Sequence, residues 1–461
     1  MSTTPGARHI SRPCGCAAQH HNECKVVFGR AQPSQTLPPG EGMGKPGFPI
    51  PLREGQALTR AGAWGNPVSP YPSSRAYVHV SVRGAISFAI ALTLAGAVGW
   101  RLLLRSFVRR YYVQTYAPIR LAATDVGDYP PERHLRDVPW IATDVPACQS
   151  TSLQMIAAQH GAVRSRAEID FLMAFTYGFS AIPGTSEFFP GGVDPEVGLR
   201  DAAPYLGLRR RYYVTDDPAL YVRALRSFLA RGYPVRVALD MGALYGASAV
   251  IPHSDVLIGY DATGFFLYET VCLPPATCAP GERPPGADGI SVTEARLLHA
   301  VTNLARRFAY PWRYMLTIFE PGPQVDDLRP VWARLANATL GGNRYGPPTG
   351  VTVLERTAAQ IERQSSRFRA TAIAQGLETA VRFRRDNARY LRERFPDEAD
   401  LAHVAAGLEQ AADRYAAALA AVADGIADRD DEARQIATAL REAAAVERAV
   451  GVALLARAGG T

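Results

Sequence analysis

Between residues 130 and 320 the hydrophobic pattern changes period, and the order of that change limits the fold. Helical spacing comes first. Leu153, Ile156 and Ala157 form an apolar stripe that stops at Gly161, a residue suited to the left-handed conformation that ends a helix. Ser165-Arg-Ala-Glu168 is a capping-box pattern, and it predicts a second helix through residues 171–176. A Gly- and Pro-rich stretch, 177–193, predicts a long loop of the kind that shapes a substrate cleft. Asp194-Pro195 and Asp217-Pro218 open two more helices, with aspartate as the cap and proline in the first turn. Extended runs follow. Residues 234–240, 255–260 and 265–269 read as strands, the last two joined by a turn at Asp261-Ala-Thr-Gly264. Ser291-Val-Thr-Glu294 caps a further helix, and the run 312–319 is expected to close the sheet. Helices first and an antiparallel sheet second predict an α+β domain.

Cys148 opens the first of these helices, after the polar, Pro-containing stretch from Asp144. A helix N-terminus offers unpaired N–H groups and the positive end of the helix dipole, which favour negative charge on a sulfur. About a hundred residues later His253 opens a strand, giving the chain order of papain-like nucleophile and base. Such chemistry also needs a third group to orient the base. Asp261 lies at the far end of the histidine's strand. Glu269 returns beside His253 if the hairpin turns at residues 262 and 263, which puts residue 253 approximately opposite residue 272. Asp255 shares the strand face of His253 but sits close along the chain, and is expected to stand outside the arrangement. Strand pairing favours Glu269.

Val138-Pro-Trp-Ile, the Cys148 helix, Gly232-Tyr-Pro-Val and His253…Gly259-Tyr-Asp…Tyr268-Glu269 resemble the bacteriocin-processing double-glycine cysteine peptidases. They resemble still more the N-terminal domain of the butirosin biosynthesis protein H family. The resemblance implies a papain-like cysteine-peptidase fold. In the peptidases a histidine starts one strand and an aspartate ends the next, which carries over to His253 and Glu269. The peptidases also hold a glutamine about five or six residues before the cysteine, for the oxyanion; Ala142 and Thr143 stand at those positions here. Oxyanion stabilisation then falls to the Cys148 backbone N–H and Thr143. The implied catalytic set is Cys148, His253, Glu269 and Thr143, with no cofactor. The implied chemistry is acyl transfer through a thioester on Cys148, from a carrier protein to an amine. Peptide or amide hydrolysis by the same residues is the alternative, and an inactive binding module on the same fold is the reading from another class.

From residue 325 to 461 the chain turns Ala-, Arg- and Glu-rich with helical spacing. Leu354, Ala358 and Ile361 make one stripe; Leu401, Val404, Leu408 and Ala412 make another. Pro396 and Gly425 mark breaks, which predicts an antiparallel bundle. Gly350-Val-Thr-Val-Leu-Glu-Arg, Phe383-Arg-Arg-Asp-Asn-Ala-Arg-Tyr-Leu and Ala445-Val-Glu-Arg resemble the helical region attached to butirosin protein H relatives. The resemblance thus covers residues 138–460.

Charge is unevenly spread. The first 120 residues hold fourteen of the fifty Lys and Arg and three of the forty-three Asp and Glu. The remainder is mildly acidic, with no basic stripe to neutralise a run of phosphates, which argues against a nucleic-acid partner. Residues 1–76 are rich in Pro, Gly and Ser and read as a disordered tail. Within them Cys14, Cys16 and Cys24 lie near His9, His20 and His21 without the usual zinc spacing, so no metal site is expected. Residues 84–100 carry no charge and three leucines extend the run past Arg101. As a helix the uncharged run spans about 26 Å, and 84–104 is expected to be a membrane anchor, with a cleaved signal near Ala95-Gly-Ala97 as the alternative. Arg101, Arg105, Arg109 and Arg110 put the following domain in the cytoplasm. A disulfide between Cys272 and Cys278 would instead suit an oxidising compartment.

Overall fold

Three of the first four helices start where their capping residues stand. The computed structural model describes residues 106–181, 188–247, 249–270, 289–341, 349–363, 371–423 and 429–459. Helix α1 (Cys148–Gln159) runs to the stop at Gly161, whose φ is +84°. Helix α2 (Arg166–Met173) begins at Ser165, whose side chain accepts from the Glu168 amide. Helices α3 (Pro195–Ala202) and α4 (Pro218–Ala230) begin at Asp194 and Asp217, whose carboxylates accept first-turn amides. Each cap supplies an acceptor to donors that the helix itself leaves unpaired.

The strands are β1 (Ile119–Arg120), β2 (Arg133–His134), β3 (Ser180–Ala181), β4 (Phe188–Phe189), β5 (Leu208–Thr215), β6 (Val235–Asp240), β7 (Pro252–Tyr260), β8 (Gly264–Tyr268), β9 (Ile290–Thr293) and β10 (Tyr314–Pro321). The main sheet has the order β1-β5-β10-β6-β7-β8-β9, with β2 also paired to β7. Only the β1–β5 pair is parallel, so the sheet is mixed. Strand β10, the last of the sheet in sequence, lies inside it between β5 and β6. Strand β5 carries Arg209, Arg210 and Arg211 in succession and does not read as a strand. It forms because Arg209 and Arg211 donate to Glu320 on β10 at 2.8 and 3.0 Å, while Arg210 donates to Glu196 at 2.6 Å. Leu208, Tyr212 and Val214 fill the core between them. Within 177–193, expected as a loop, β3 and β4 pair as a small ribbon. Short helix α5 (Met241–Tyr245) follows β6. Helix α6 (Glu294–Arg307) is capped by Thr293, the last residue of β9, rather than by Ser291, two residues earlier in the same strand.

Helices α7 (Arg329–Leu340), α8 (Val351–Arg363), α9 (Thr371–Arg394), α10 (Ala399–Ala423) and α11 (Arg429–Arg457) form the C-terminal helical region. Ion pairs step oppositely along α9 and α10 (Arg385–Asp413, Arg392–Glu409) and along α8 and α11 (Glu362–Arg441, Glu355–Arg448), the mark of antiparallel neighbours. The principal core joins the sheet and α1 to Leu391, Leu401, Leu408 and Leu454 of these helices. A second core joins Leu354, Leu377, Tyr415 and Leu440 to Phe179 and Phe188 from the ribbon and its approach. Sheet and helical region therefore each bury side chains of the other, which gives both a share of the apolar driving force.

Among the described residues no helix is long and apolar enough to cross a membrane. The longest, α9 to α11, carry Arg, Asp and Glu along their length, which hydrocarbon would not tolerate. This corrects the membrane-anchored localisation expected from the sequence. The segment 84–104 that prompted it lies outside the described residues, as do the tail 1–76 with its cysteines and the pair Cys272 and Cys278.

Candidate active site

Cys148 is the first residue of α1 and is 5% exposed. Ala147 at the cap supplies no side-chain acceptor, so no cap competes for the first-turn amides, the donors an oxyanion would use. The stretch leading into the helix is fixed from two sides. On the sheet side, the Thr143 amide donates to the Thr270 carbonyl at 2.9 Å, and the Val145 amide donates to Thr143 Oγ1 at 3.3 Å. On the other side, Phe383 of α9 packs against Val145 and Ala147. Arg382 donates to the Asp144 carbonyl at 3.2 Å and pairs with its carboxylate. One turn into α1, Ser152 Oγ donates to the Ser254 carbonyl at 3.1 Å and meets Ser254 Oγ at 2.9 Å, tying the cysteine's helix to β7 beside His253. Thr143 thus braces the stretch leading to Cys148. Its amide is already committed, and only its hydroxyl proton is left to meet an oxyanion.

His253 and two acids come together through strand register. Near the turn, Tyr260 faces Phe265 and Gly259 faces Phe266; past Ile258 the pairs are Leu257–Leu267 and Val256–Tyr268. The extra residue is a β-bulge. Without it Glu269 would fall opposite Val256, on the face away from His253. With it Glu269 falls opposite Asp255 and joins the face of His253, because one residue of slip reverses every side chain. His253 Nε2 lies 2.5 Å from Glu269 Oε1. The other oxygen of Glu269 accepts from the Tyr245 hydroxyl at 2.9 Å, and Trp140 Nε1 donates to the Glu269 carbonyl at 3.1 Å. Thr270 Oγ1 donates to the Ser254 carbonyl at 2.8 Å and lies 3.2 Å from His253 Nε2, toward which it can only accept. Nε2 therefore carries the proton, and Nδ1 is the nitrogen left to exchange one with Cys148.

Asp255, expected to stand outside, is part of the cluster. Its Oδ1 is 3.1 Å from His253 Nε2, and two residues along one strand share a face. The contact is off the line of a good hydrogen bond, since neither Asp255 oxygen has a partner that meets that geometry. Burial opposes a charged His253, but Asp255, a Cys148 thiolate and Glu269 overcome it and hold the imidazolium well above its ordinary range. Burial first, then Glu269, pushes the Asp255 carboxyl up to about 7, against the pull of His253. The cluster therefore keeps more protons near neutral pH than its separate groups would.

The ligand-type atoms of His253, Asp255 and Glu269 lie within 4.8 Å of one another, a donor set of the kind a divalent cation takes. His253 Nε2 and Glu269 Oε1 are in direct hydrogen-bond contact. Two ligands on one tetrahedral zinc, with bonds of about 2.0–2.1 Å, stand roughly 3.3 Å apart.

Of the residues named from sequence, Cys148, His253, Glu269 and Thr143 are all buried and joined to one another through α1, β7 and the chain after β8. Asp261 remains at the turn, where it caps Thr263 and Gly264 at 2.7 and 3.1 Å. Three participants were settled by tertiary placement rather than by local sequence. Asp255 needed the bulge, Tyr245 needed the short helix that carries it, and buried Arg236 needed the sheet order. Arg236 donates to Ser254 Oγ at 2.8 Å, pairs with Glu196, and lies within the electrostatic reach of Cys148. Tyr245 had a trace in its place just after β6. Asp240 fixes that loop by accepting from Gly242 and Ile251 at 3.0 and 2.8 Å. No family model matches the chain, and no curated protein matches it.

Proposed function

We propose that this chain is a cysteine-nucleophile acyl-transfer enzyme on a papain-like fold, with Cys148 as nucleophile, His253 as base and Glu269 as the acid that orients it. The observation that carries the reading is the short His253–Glu269 contact, buried beside a cysteine at an uncapped helix N-terminus. The resemblance to the butirosin protein H N-terminal family supports transfer rather than hydrolysis, and its span includes the helical region that here packs on Val145 and Ala147.

The Cys148 sulfur, relieved of its proton by His253 Nδ1, attacks the carbonyl of an acyl thioester donor. A new carbon–sulfur bond forms and the donor's breaks, and His253 returns its proton to the departing thiolate. In the second half an amine attacks the Cys148 thioester, its proton passes to His253, and the Cys148 sulfur leaves. First-turn amides of α1 and the Thr143 hydroxyl face the oxyanion role.

Iodoacetamide labelling at neutral pH tests the pair. Cys148 should be alkylated readily, and His253→Ala should slow the reaction by about a hundredfold, the lower range for general-base assistance. Equal, slow labelling of both proteins would sink the reading. Intact-mass trapping of acyl-Cys148, followed by water alone or by candidate amines, separates the outcomes: discharge by amines only supports a transferase, and discharge by water supports a peptidase or amidase.

A further inference from the structure

The site holds one acid more than a nucleophile, a base and an orienting acid require. Asp255 is fully buried, and neither of its oxygens has a hydrogen bond of good geometry although Oδ1 is 3.1 Å from His253 Nε2. A carboxylate so placed is unfavourable unless it carries or shares a proton. The bulge that turns Glu269 toward His253 also sets it directly across from Asp255. Two ionised carboxylates opposed across a strand pair repel, whereas one proton between them removes the repulsion.

The groups around Asp255 are few. His253 faces it from its own strand, and Glu269 and the Thr270 amide face it from the chain after β8. Cys148 on α1 acts on it through His253, and Tyr245 on α5 through Glu269. The Arg236 guanidinium on β6 is engaged by Glu196 and Ser254.

We propose that Asp255 is a positioning residue that shares His253 Nε2, and one proton, with Glu269, so that a carboxylate pair holds the imidazole. The proposal rests on the reading of Cys148 and His253 as nucleophile and base. Its consequence is redundancy with a pH dependence. If one acid is removed, the other still holds the ring. When the shared proton leaves, near pH 7, a second negative charge meets the imidazolium and makes it a weaker acid toward a leaving thiolate.

The test measures Cys148 alkylation by iodoacetamide from pH 5 to 9, with His253 ring nitrogens followed by NMR, in the full chain. Glu269→Gln should slow labelling by about tenfold only, well short of the roughly hundredfold expected for His253→Ala. Asp255→Asn with Glu269→Gln should be as slow as His253→Ala. Asp255→Asn alone should remove the inflection near pH 7 in both readouts, and Asp255→Glu should keep it. Glu269→Gln as slow as His253→Ala, or an unmoved inflection in Asp255→Asn, would overturn the proposal. If Asp255→Asn does not fold, the Glu269→Gln arm still decides. If His253→Ala labels like the wild type, the functional reading itself fails. If it labels slowly while Asp255→Asn changes nothing, only the carboxylate pair fails.

Discussion

Two buried ionic clusters lie on either side of Ser254, and they are built to opposite rules. In one, Glu196 on α3 receives Arg236 on one oxygen and Arg210 on the other. Burial alone would raise the Glu196 carboxyl, yet the two guanidiniums hold it below its ordinary range. In the other, a single imidazole faces two acids, and one of them, Asp255, is raised to about 7. The first cluster has a bonded partner for each carboxylate oxygen and no reason to exchange protons. The second retains an acid without well-formed hydrogen bonds, poised to change charge near neutral pH. Both shift a buried carboxyl from its ordinary range, so a perturbed carboxyl alone does not mark a site. The direction of the shift separates the cluster that stabilises from the one suited to chemistry.

Glu196→Ala should give the largest effect. It leaves two buried guanidiniums without their anion, and breaking a buried pair typically costs about 3–5 kcal/mol. Urea unfolding measures it, and a loss below about 1 kcal/mol would break the comparison. Asp255→Asn should act in the opposite sense and with pH. The Asp255 carboxyl titrates near 7 when folded and near 3.8 when free, so the folded chain binds that proton more tightly. Wild-type stability attributable to this group is therefore greatest below about pH 4 and is lost as pH rises to about 7. The asparagine variant lacks that loss. Its stability relative to wild type should climb by roughly 1–4 kcal/mol across the window, given about 1.4 kcal/mol per pKa unit. A difference that stays flat from pH 4 to 8 would show that Asp255 is held as firmly as Glu196.

Sequence alone exposed one side of this contrast and hid the other. Ser165, Asp194 and Asp217 were legible because a cap acts within three residues, and Cys148 because α1 begins where its apolar stripe begins. Glu269 was legible through hairpin pairing, though only the bulge at Ile258, beside Gly259, puts it on the correct face. The same bulge was needed to bring Asp255 opposite it. Strand β5 was hidden because its three arginines break the alternation, and their anions come from α3 and β10, far along the chain. Likewise nothing local in α9 tells that Phe383 reaches Val145 and Ala147.

Ser254→Ala carries the smallest effect and asks whether the clusters are independent. Ser254 is fully buried between His253 and Asp255, and its Oγ accepts from Arg236 Nε at 2.8 Å while meeting Ser152 Oγ. Removing that oxygen leaves one guanidinium N–H without its partner, a cost of about 1.5 kcal/mol for a hydrogen bond to a charged group. Arg236 would keep Glu196, and Ser152 would keep the Ser254 carbonyl and the Cys148 carbonyl. If each cluster is fixed by its own partners, the melting temperature should fall by a few degrees while the pH profile of Cys148 alkylation stays in place. If the profile moves as well, Ser254 is the link through which the charge of Arg236 reaches the imidazole, and the two clusters must be treated as one.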